Sequence, residues 1–313
     1  MSDESAKEAR RNMKTIKTFL SFVEIQTKLA SVMPFLVALA YAFYLTGGIY
    51  LRNSLIYLAA AFLFDMAVTA INNYMDRRET KSVPHFSRPV SLVIIFAMAT
   101  AAGVLGLYLA HLYGLALLLA GTICFVAGVA YTYGPAPISK SPYGEAVSGF
   151  VMGFVIMFIV LSVNAPTVQI VDIVFYHWHV YMDINLANLL AFGLVSLPAV
   201  CLIANIMLAN NICDLEADRA TRYTMARHIG VPNALALFAT LNCVAYLAIV
   251  AASVLGVLPL WCLITLVTIL PVQKNVRAFF RRQSKRETFS LAVKNFMLIM
   301  LALTLTILLG ALL

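Results

Sequence analysis

The chain has 313 residues, of which 62% are hydrophobic and only 12% charged, and its mean hydropathy is +0.89. These values exclude an ordinary soluble domain, in which about 25% of the residues are charged. The formal net charge of +8 is explained most simply by basic residues on the cytoplasmic side of a membrane, with some attraction to anionic lipid, and is no evidence for nucleic-acid binding.

Nine apolar stretches are long enough to cross a bilayer, which predicts an all-α membrane protein with nine transmembrane helices around a central cavity. A polar, basic lead-in at 1–20, disordered or interfacial, precedes a single transmembrane domain at 21–313. The predicted helices span residues 29–50, 54–73, 89–110, 113–132, 144–163, 187–209, 233–254, 256–273 and 289–312.

Basic residues predict the orientation of these helices, because cytoplasmic loops carry an excess of Lys and Arg. If the N-terminus is inside, the cytoplasmic segments hold all of the 22 Lys and Arg residues except Arg52. One missed or invented helix would scramble this asymmetry. We therefore expect a multi-pass protein of the cell membrane with a cytoplasmic N-terminus and an external C-terminus.

A polar cluster closes the second predicted helix. Asn72 and Asn73 are followed by Asp76, and Asp65 lies earlier on the same helical face. At 1.5 Å per residue, Asp65 should lie roughly 10 Å deeper in the membrane than Asn72. A carboxylate inside a membrane suggests a functional site, although an aspartic acid hydrogen-bonded to a neighbouring helix is an equally good interpretation.

A second polar cluster closes the sixth predicted helix and repeats the first. Asn210 and Asn211 are followed by Asp214, with Asp218 one helical turn later and Arg222 after it. On a continuing helix, residues at i and i+4 share one face. Such a cluster alone could be a solvated helix end. Its repetition four helices later predicts a parallel internal repeat that places two oxygen-rich walls on opposite sides of one cytoplasmic cavity.

The polar residues of the two clusters are predicted substrate contacts: Asp65, Asn72, Asn73, Asn210, Asn211 and Arg222. Other polar residues near the predicted cytoplasmic side are further candidates. Arg88 enters the third helix opposite the acidic cluster, Lys28 precedes the first helix, and Tyr133 follows the fourth, although each of them also has a plain structural explanation. Glu145 should cap the fifth helix. The basic stretch 274–286 is expected to rest on anionic headgroups, and the aromatic segment 164–185 to lie at the outer membrane interface.

This combination of residues suits a substrate with a diphosphate head and an isoprenoid tail. Carboxylate and amide oxygens are ligands that Mg²⁺ prefers, and Mg²⁺ would neutralise the diphosphate as the allylic C–O bond breaks. The cation formed needs a dry chamber and a positioned nucleophile. The predicted ligands of Mg²⁺ are Asn72, Asp76, Asp214 and Asp218, and the three aspartates are the predicted catalytic residues.

At these two motifs the sequence resembles the UbiA superfamily of intramembrane aromatic prenyltransferases, which have nine helices and two aspartate-rich motifs. Of the family's first motif, Asn-Asp-x-x-Asp-x-x-x-Asp, Asn72 and Asp76 match, whereas Asn73 and Thr80 replace aspartates. The second motif, Asp-x-x-x-Asp, is matched fully. The resemblance implies that the second motif dominates metal binding and that Asp76 is the main contribution of the first.

Within the superfamily, the region 210–230 is most similar to the menaquinone-pathway branch. That resemblance implies transfer of a prenyl group from polyprenyl diphosphate to 1,4-dihydroxy-2-naphthoate, with loss of the carboxylate, to give demethylmenaquinone. Prenylation of 4-hydroxybenzoate or haem is the nearest alternative. A membrane cation transporter using Asp65 and the acid pairs is a less favoured one, because most of the acids lie at the cytoplasmic edge. The sequence leaves the oligomeric state open.

Overall fold

The computed structural model describes residues 15–24, 29–80, 86–219 and 221–313, with residues 29–30 and 76–80 described by their backbone alone. The described chain is almost entirely helical. Its α-helices are α1 (15–22), α2 (Leu29–Thr46), α3 (Leu51–Thr80), α4 (Arg88–Tyr113), α5 (Leu115–Thr132), α6 (Gly144–Gly149), α7 (Ile156–Asn164), α8 (Leu186–Cys213), α9 (Met225–Ile229), α10 (Val231–Val254), α11 (Ile269–Arg281) and α12 (Phe289–Leu312).

Shorter irregular elements connect several of these helices. A π-helical segment, Phe150–Val155, joins α6 to α7, and 3₁₀ segments occupy Ile138–Lys140 and Leu260–Thr268. The strands β1 (Val171–Tyr176) and β2 (His179–Ile184) form an antiparallel hairpin between α7 and α8. The sequence predicts an aromatic interfacial segment here but not its strands.

The structure confirms an all-α membrane fold. Within the described ranges, eight helical segments are long and apolar enough to cross a bilayer, and Ser31–Thr46 is a shorter apolar helix. The predicted count of nine therefore depends on this shorter helix. Two boundaries differ most from expectation. α3 continues to Thr80, past the predicted end at residue 73, and α11 continues through Arg281, so much of the basic stretch is helical.

The lead-in to the membrane domain is partly folded. Residues 15–22 form α1, and Phe22 at its end is fully buried against Ala67 of α3 and Met98 of α4. The Phe22 and Phe86 rings meet edge to face, with centroids 5.8 Å apart. Residues 15–20 are therefore helical rather than disordered, and their expected place at the membrane interface stays a prediction.

The core of the bundle lies where α2, α7, α8 and α12 pack together. α3 packs mainly against α4 and α5, whereas α8 packs mainly against α6, the π-helical segment, α10 and α12. In an apolar 18-residue part of each helix, only 22% of the residues of α4 and 17% of those of α5 are buried. In a membrane protein such uncovered apolar faces contact lipid, so α4 and α5 lie on the periphery of the bundle.

Glycines let the end of α6 and the π-helical segment approach α8 closely. A Cβ on Gly149 would lie 2.6 Å from the carbonyl oxygen of Val200, and one on Gly153 would lie 2.4 Å from its backbone nitrogen. Both distances are shorter than any side chain tolerates, so this contact requires glycine. The approach fixes the start of α6 beside the C-terminal half of α8, where the second motif lies.

Candidate active site

The second motif begins on α8 and continues into the turn after it. The helix continues past its predicted end at residue 209 and ends at Cys213 with Asp214 as its C-cap, so Asp214 and Asp218 do not lie on one regular helix. An acid is unfavourable at the negative end of a helix dipole, so Asp214 at this position requires a compensating positive charge. The helical spacing nevertheless persists, because the Asp218 backbone N–H donates to the Asp214 carbonyl at 2.8 Å and that of Arg222 to Asp218 at 2.9 Å.

The oxygens of this motif already bind a positive charge. The ammonium of Lys285, in the loop between α11 and α12, donates to Asn210 Oδ1 and lies 2.5 Å from Asp214 Oδ2. It also lies 4.9 Å from the centroid of the Phe289 ring, a cation–π contact. Asn210 and Asp214 therefore form a cation-binding pair. Sequence reasoning assigned Lys285 only to a headgroup-binding stretch.

A buried carboxylate holds the last residues of α8 in place. Glu145 lies in the first turn of α6, as expected of a capping residue, but it is only 5% exposed and its Oε1 accepts a hydrogen bond from Asn211 Nδ2 at 2.8 Å. Asn211 is also 5% exposed. Because its amide is engaged with Glu145, Asn211 orients the end of α8, whereas sequence reasoning placed it among the substrate contacts.

Arginines and backbone bonds shape the turn that carries Asp218. Arg222 Nε lies 3.7 Å from Asp218 Oδ1, and both side chains are about one quarter exposed. Arg227 Nη1 donates to the carbonyl oxygens of Arg219 and Arg222 at 2.6 and 3.0 Å. The Tyr223 backbone N–H donates to the Lys140 carbonyl at 2.9 Å, which ties the turn to the segment that follows α5.

The first motif lies within the last turns of α3. Asn73 Nδ2 donates to the Phe22 carbonyl at 3.0 Å and to Glu24 Oε1 at 3.2 Å, so this predicted substrate contact joins α3 to the N-terminal segment. Asn72 is half-buried. The side chain of Asp76, a predicted catalytic residue, lies outside the described part of the chain, although its backbone is helical.

Asp65 lies deeper on α3 and meets the neighbouring helix. Its Oδ2 accepts a hydrogen bond of 2.7 Å from Ser31 Oγ on α2. This contact agrees with the interpretation of Asp65 as a carboxyl group hydrogen-bonded to another helix. It gives no support to Asp65 as a substrate contact.

The remaining predicted contacts are exposed or lie outside the described residues. Arg88 is exposed at the first position of α4, and Tyr133 is 56% exposed just after α5. Lys28 lies outside the described residues. The structure thus brings together Asn210, Asn211, Asp214, Asp218 and Arg222, whereas the pairing of the two motifs across one cavity stays a prediction.

The donor set of the second motif fits a hard divalent cation. Asn210, Asp214 and Asp218, each about one turn after the last, offer amide and carboxylate oxygens, the ligand type of Mg²⁺. In the described ranges no group of three or more His, Cys, Asp or Glu side chains is clustered tightly enough to hold a metal by itself. A metal here would therefore also use the amide oxygen of Asn210, substrate oxygens, water or the first motif.

Comparison with known proteins agrees with the family resemblance that the two motifs indicated. The UbiA prenyltransferase family model matches residues 31–311. A curated relative, the 1,4-dihydroxy-2-naphthoate octaprenyltransferase of Bacillus subtilis, is 27% identical over 203 residues. That alignment covers 64% of this chain and 59% of the length of the relative.

Solved structures share the fold at low sequence identity. A digeranylgeranylglyceryl phosphate synthase has a TM-score of 0.66 at 17% identity and covers 95% of this chain and 98% of its own. A UbiA homologue from Archaeoglobus fulgidus, bound to GPP and Mg²⁺, has a TM-score of 0.64 at 12% identity, with 95% and 100% covered. Because the family model spans almost the whole membrane domain, the chain belongs to the UbiA prenyltransferase family.

Proposed function

We propose that this prenyltransferase transfers a polyprenyl group from polyprenyl diphosphate to 1,4-dihydroxy-2-naphthoate, with Mg²⁺ as cofactor. The observation that carries the proposal is the cation-binding pair of Asn210 and Asp214, with Asp218 one turn away. The acceptor is supported by the name of the B. subtilis relative. The donor class and the metal are supported by the A. fulgidus structures, one bound to GPP and Mg²⁺ and one to DMAPP and Mg²⁺.

In the proposed reaction the allylic C–O bond breaks and diphosphate leaves with the bonding electrons. The ring carbon that bears the carboxylate attacks the allylic carbon, and the carboxylate then leaves as CO₂, so its electrons restore the aromatic ring. The product is the prenylated diol, the reduced form of demethylmenaquinone. Atoms and charges balance without an oxidant or a covalent enzyme intermediate.

The residues of the second motif have separate roles in this proposal. Asp214, Asp218 and Asn210 would hold Mg²⁺, which when bound neutralises diphosphate and makes it a better leaving group. Arg222 and Lys285 lie next to these acids, and in this proposal they would pair with diphosphate oxygens.

The contacts that hold the second motif in place also matter for catalysis. Displacement of diphosphate depends on positioning and electrostatic stabilisation, which require a rigid site. The Asn211–Glu145 hydrogen bond and the close contact of Gly153 with α8 provide that rigidity. The proposal also places the second motif on the cytoplasmic side of the membrane and pairs it with Asp76 and Asn72 across the cavity.

A reaction with purified protein in detergent tests the proposal. The protein is given a polyprenyl diphosphate and either 1,4-dihydroxy-2-naphthoate or 4-hydroxybenzoate, with Mg²⁺ or with EDTA, and prenylated product and diphosphate are quantified. We expect Mg²⁺-dependent product with the naphthoate. Product with 4-hydroxybenzoate alone would contradict the acceptor, and product that persists undiminished in EDTA would contradict the metal. No product with either acceptor would contradict the proposed reaction.

A further inference from the structure

The hairpin between α7 and α8 has two faces of different chemistry. Its register pairs Val171 with Ile184, Ile173 with Met182 and Phe175 with Val180. Paired residues of an antiparallel sheet lie on the same face, and successive residues alternate between faces. These six side chains therefore form one continuous surface, here called the apolar face. The opposite face carries Asp172, Val174, Tyr176, His179, Tyr181 and Asp183.

The apolar face begins on the helix bundle and continues beyond it. Ile173 on β1 is 7% exposed, whereas its partner Met182 on β2 is 59% exposed, and Phe175 and Val180, nearer the tip, are 59% and 61% exposed. The face that is buried at Ile173 on β1 is therefore the same face that is uncovered along β2 and towards the tip. Phe175, Val180 and Met182 therefore contact the medium that surrounds the bundle at this level.

Hydrogen bonds hold the root of the hairpin at the start of α8. The Asn185 backbone N–H donates to the Ile170 carbonyl at 3.0 Å, and Asn188 Nδ2 donates to the Gln169 carbonyl at 2.8 Å. The second motif lies at the other end of α8, a helix of 28 residues, or about 42 Å at 1.5 Å per residue. The hairpin and the candidate active site therefore belong to opposite sides of the membrane.

The neighbouring bundle surface contacts lipid. β1 packs against α5, on which Leu119, Ile123 and Val126 are 43%, 49% and 59% exposed. Because α5 is long and apolar enough to span the bilayer, these uncovered side chains face acyl chains. The apolar face of the hairpin extends this lipid-contacting surface at the level of the membrane boundary.

The tip of the hairpin places a tryptophan at its apex. His177 and Trp178 have φ angles of +46° and +65°, the left-handed pair that a tight two-residue hairpin turn requires and that Asn and Gly usually occupy. A bulky residue is uncommon in this conformation. Trp178 is 91% exposed, and an indole ring favours the boundary between headgroups and acyl chains.

We propose that the apolar face of this hairpin lies in the headgroup–acyl boundary of the leaflet opposite the aspartate motifs, with Trp178 inserted at its end. In water the face would leave several large apolar side chains exposed together, which is unfavourable. Asp172 and Asp183 lie directly opposite each other on the other face. Paired like charges are tolerable where water solvates them, so that face points away from lipid. This inference does not depend on the proposed reaction.

Fluorescence of the hairpin tryptophan tests the proposal. The chain contains two tryptophans, so Trp261→Phe leaves Trp178 as the only one. The variant is reconstituted in nanodiscs of phospholipid brominated near the headgroup end of the acyl chains, or near the methyl end, and is titrated separately with aqueous iodide. We expect Trp178 to lose most of its emission to bromine near the headgroup end, less to bromine near the methyl end, and little to iodide.

Matched substitutions on the two faces distinguish insertion from mere proximity. Met182 on the apolar face and Tyr181 on the other face are 59% and 56% exposed. Met182→Glu should lift the tip, so that quenching by bromolipid falls and quenching by iodide rises, whereas Tyr181→Glu should leave both unchanged. Strong quenching of the parent variant by iodide without quenching by bromolipid would overturn the proposal. Shielding from both quenchers together with a dimer in solution would also overturn it, because a second copy would then cover the face.

Discussion

Removal of the Lys285 ammonium should tighten metal binding at the second motif. Lys285 contacts both Asn210 and Asp214, the oxygens that a metal would need. The side chains of Lys285 and Asp214 are 45% and 27% exposed, so solvent weakens the pair, whose free energy is about 1 kcal/mol. Loss of this competitor in Lys285→Met should increase metal affinity about fivefold, since about 1.4 kcal/mol corresponds to a tenfold change.

A titration with Mn²⁺ in place of Mg²⁺ measures this change without any turnover. Free Mn²⁺ is followed by electron paramagnetic resonance as it is added to purified protein without prenyl diphosphate. Arg282→Met is the matched control, because Arg282 lies near Lys285 in the same loop and pairs with Glu287 at 2.7 Å. It removes the same charge without touching the motif. Equal affinities for wild type and Lys285→Met, or equal gains in both variants, would refute the competition.

Two further predictions concern the rigidity of the site. Gly153→Ala should lower the melting temperature in detergent by the equivalent of about 1–3 kcal/mol, because its Cβ would lie 2.4 Å from a backbone nitrogen of α8, whereas Gly103→Ala has open space and should have little effect. Asn211→Leu should cost about 1.5–3 kcal/mol, because it leaves the buried Glu145 carboxylate without its amide donor. Asn233→Leu removes an exposed amide-to-carbonyl bond and should cost less. Equal melting temperatures within either pair of variants would contradict the corresponding reasoning.

Helices and their order could be predicted from the sequence because a bilayer requires long apolar stretches. The prediction 233–254 became Val231–Val254, and 289–312 became Phe289–Leu312. Helix ends outside the hydrocarbon core were harder to place, since hydropathy no longer constrains the chain there. For this reason neither the extension of α3 to Thr80 nor the strands of the hairpin were predicted.

Side-chain partners across the fold could not be predicted from one sequence. The motif acids were identified by their spacing, but Lys285 binds Asp214 from 71 residues away, and Glu145 binds Asn211 from 66 residues away. Such contacts depend on how the helices pack, which local periodicity does not encode. Asn73 is a further example, because the sequence did not predict that this residue joins α3 to the N-terminal segment.

Substitution of the motif acids tests the central claim most directly. Asp214→Ala and Asp218→Ala are compared with Glu216→Ala, which removes an exposed acid from the same turn. Prenylated product is measured with saturating Mg²⁺, and the folded yield is measured by size-exclusion chromatography. The account predicts that each aspartate variant loses turnover at an unchanged folded yield while Glu216→Ala remains active. Wild-type turnover in both aspartate variants would show that these acids are only structural and would contradict the account.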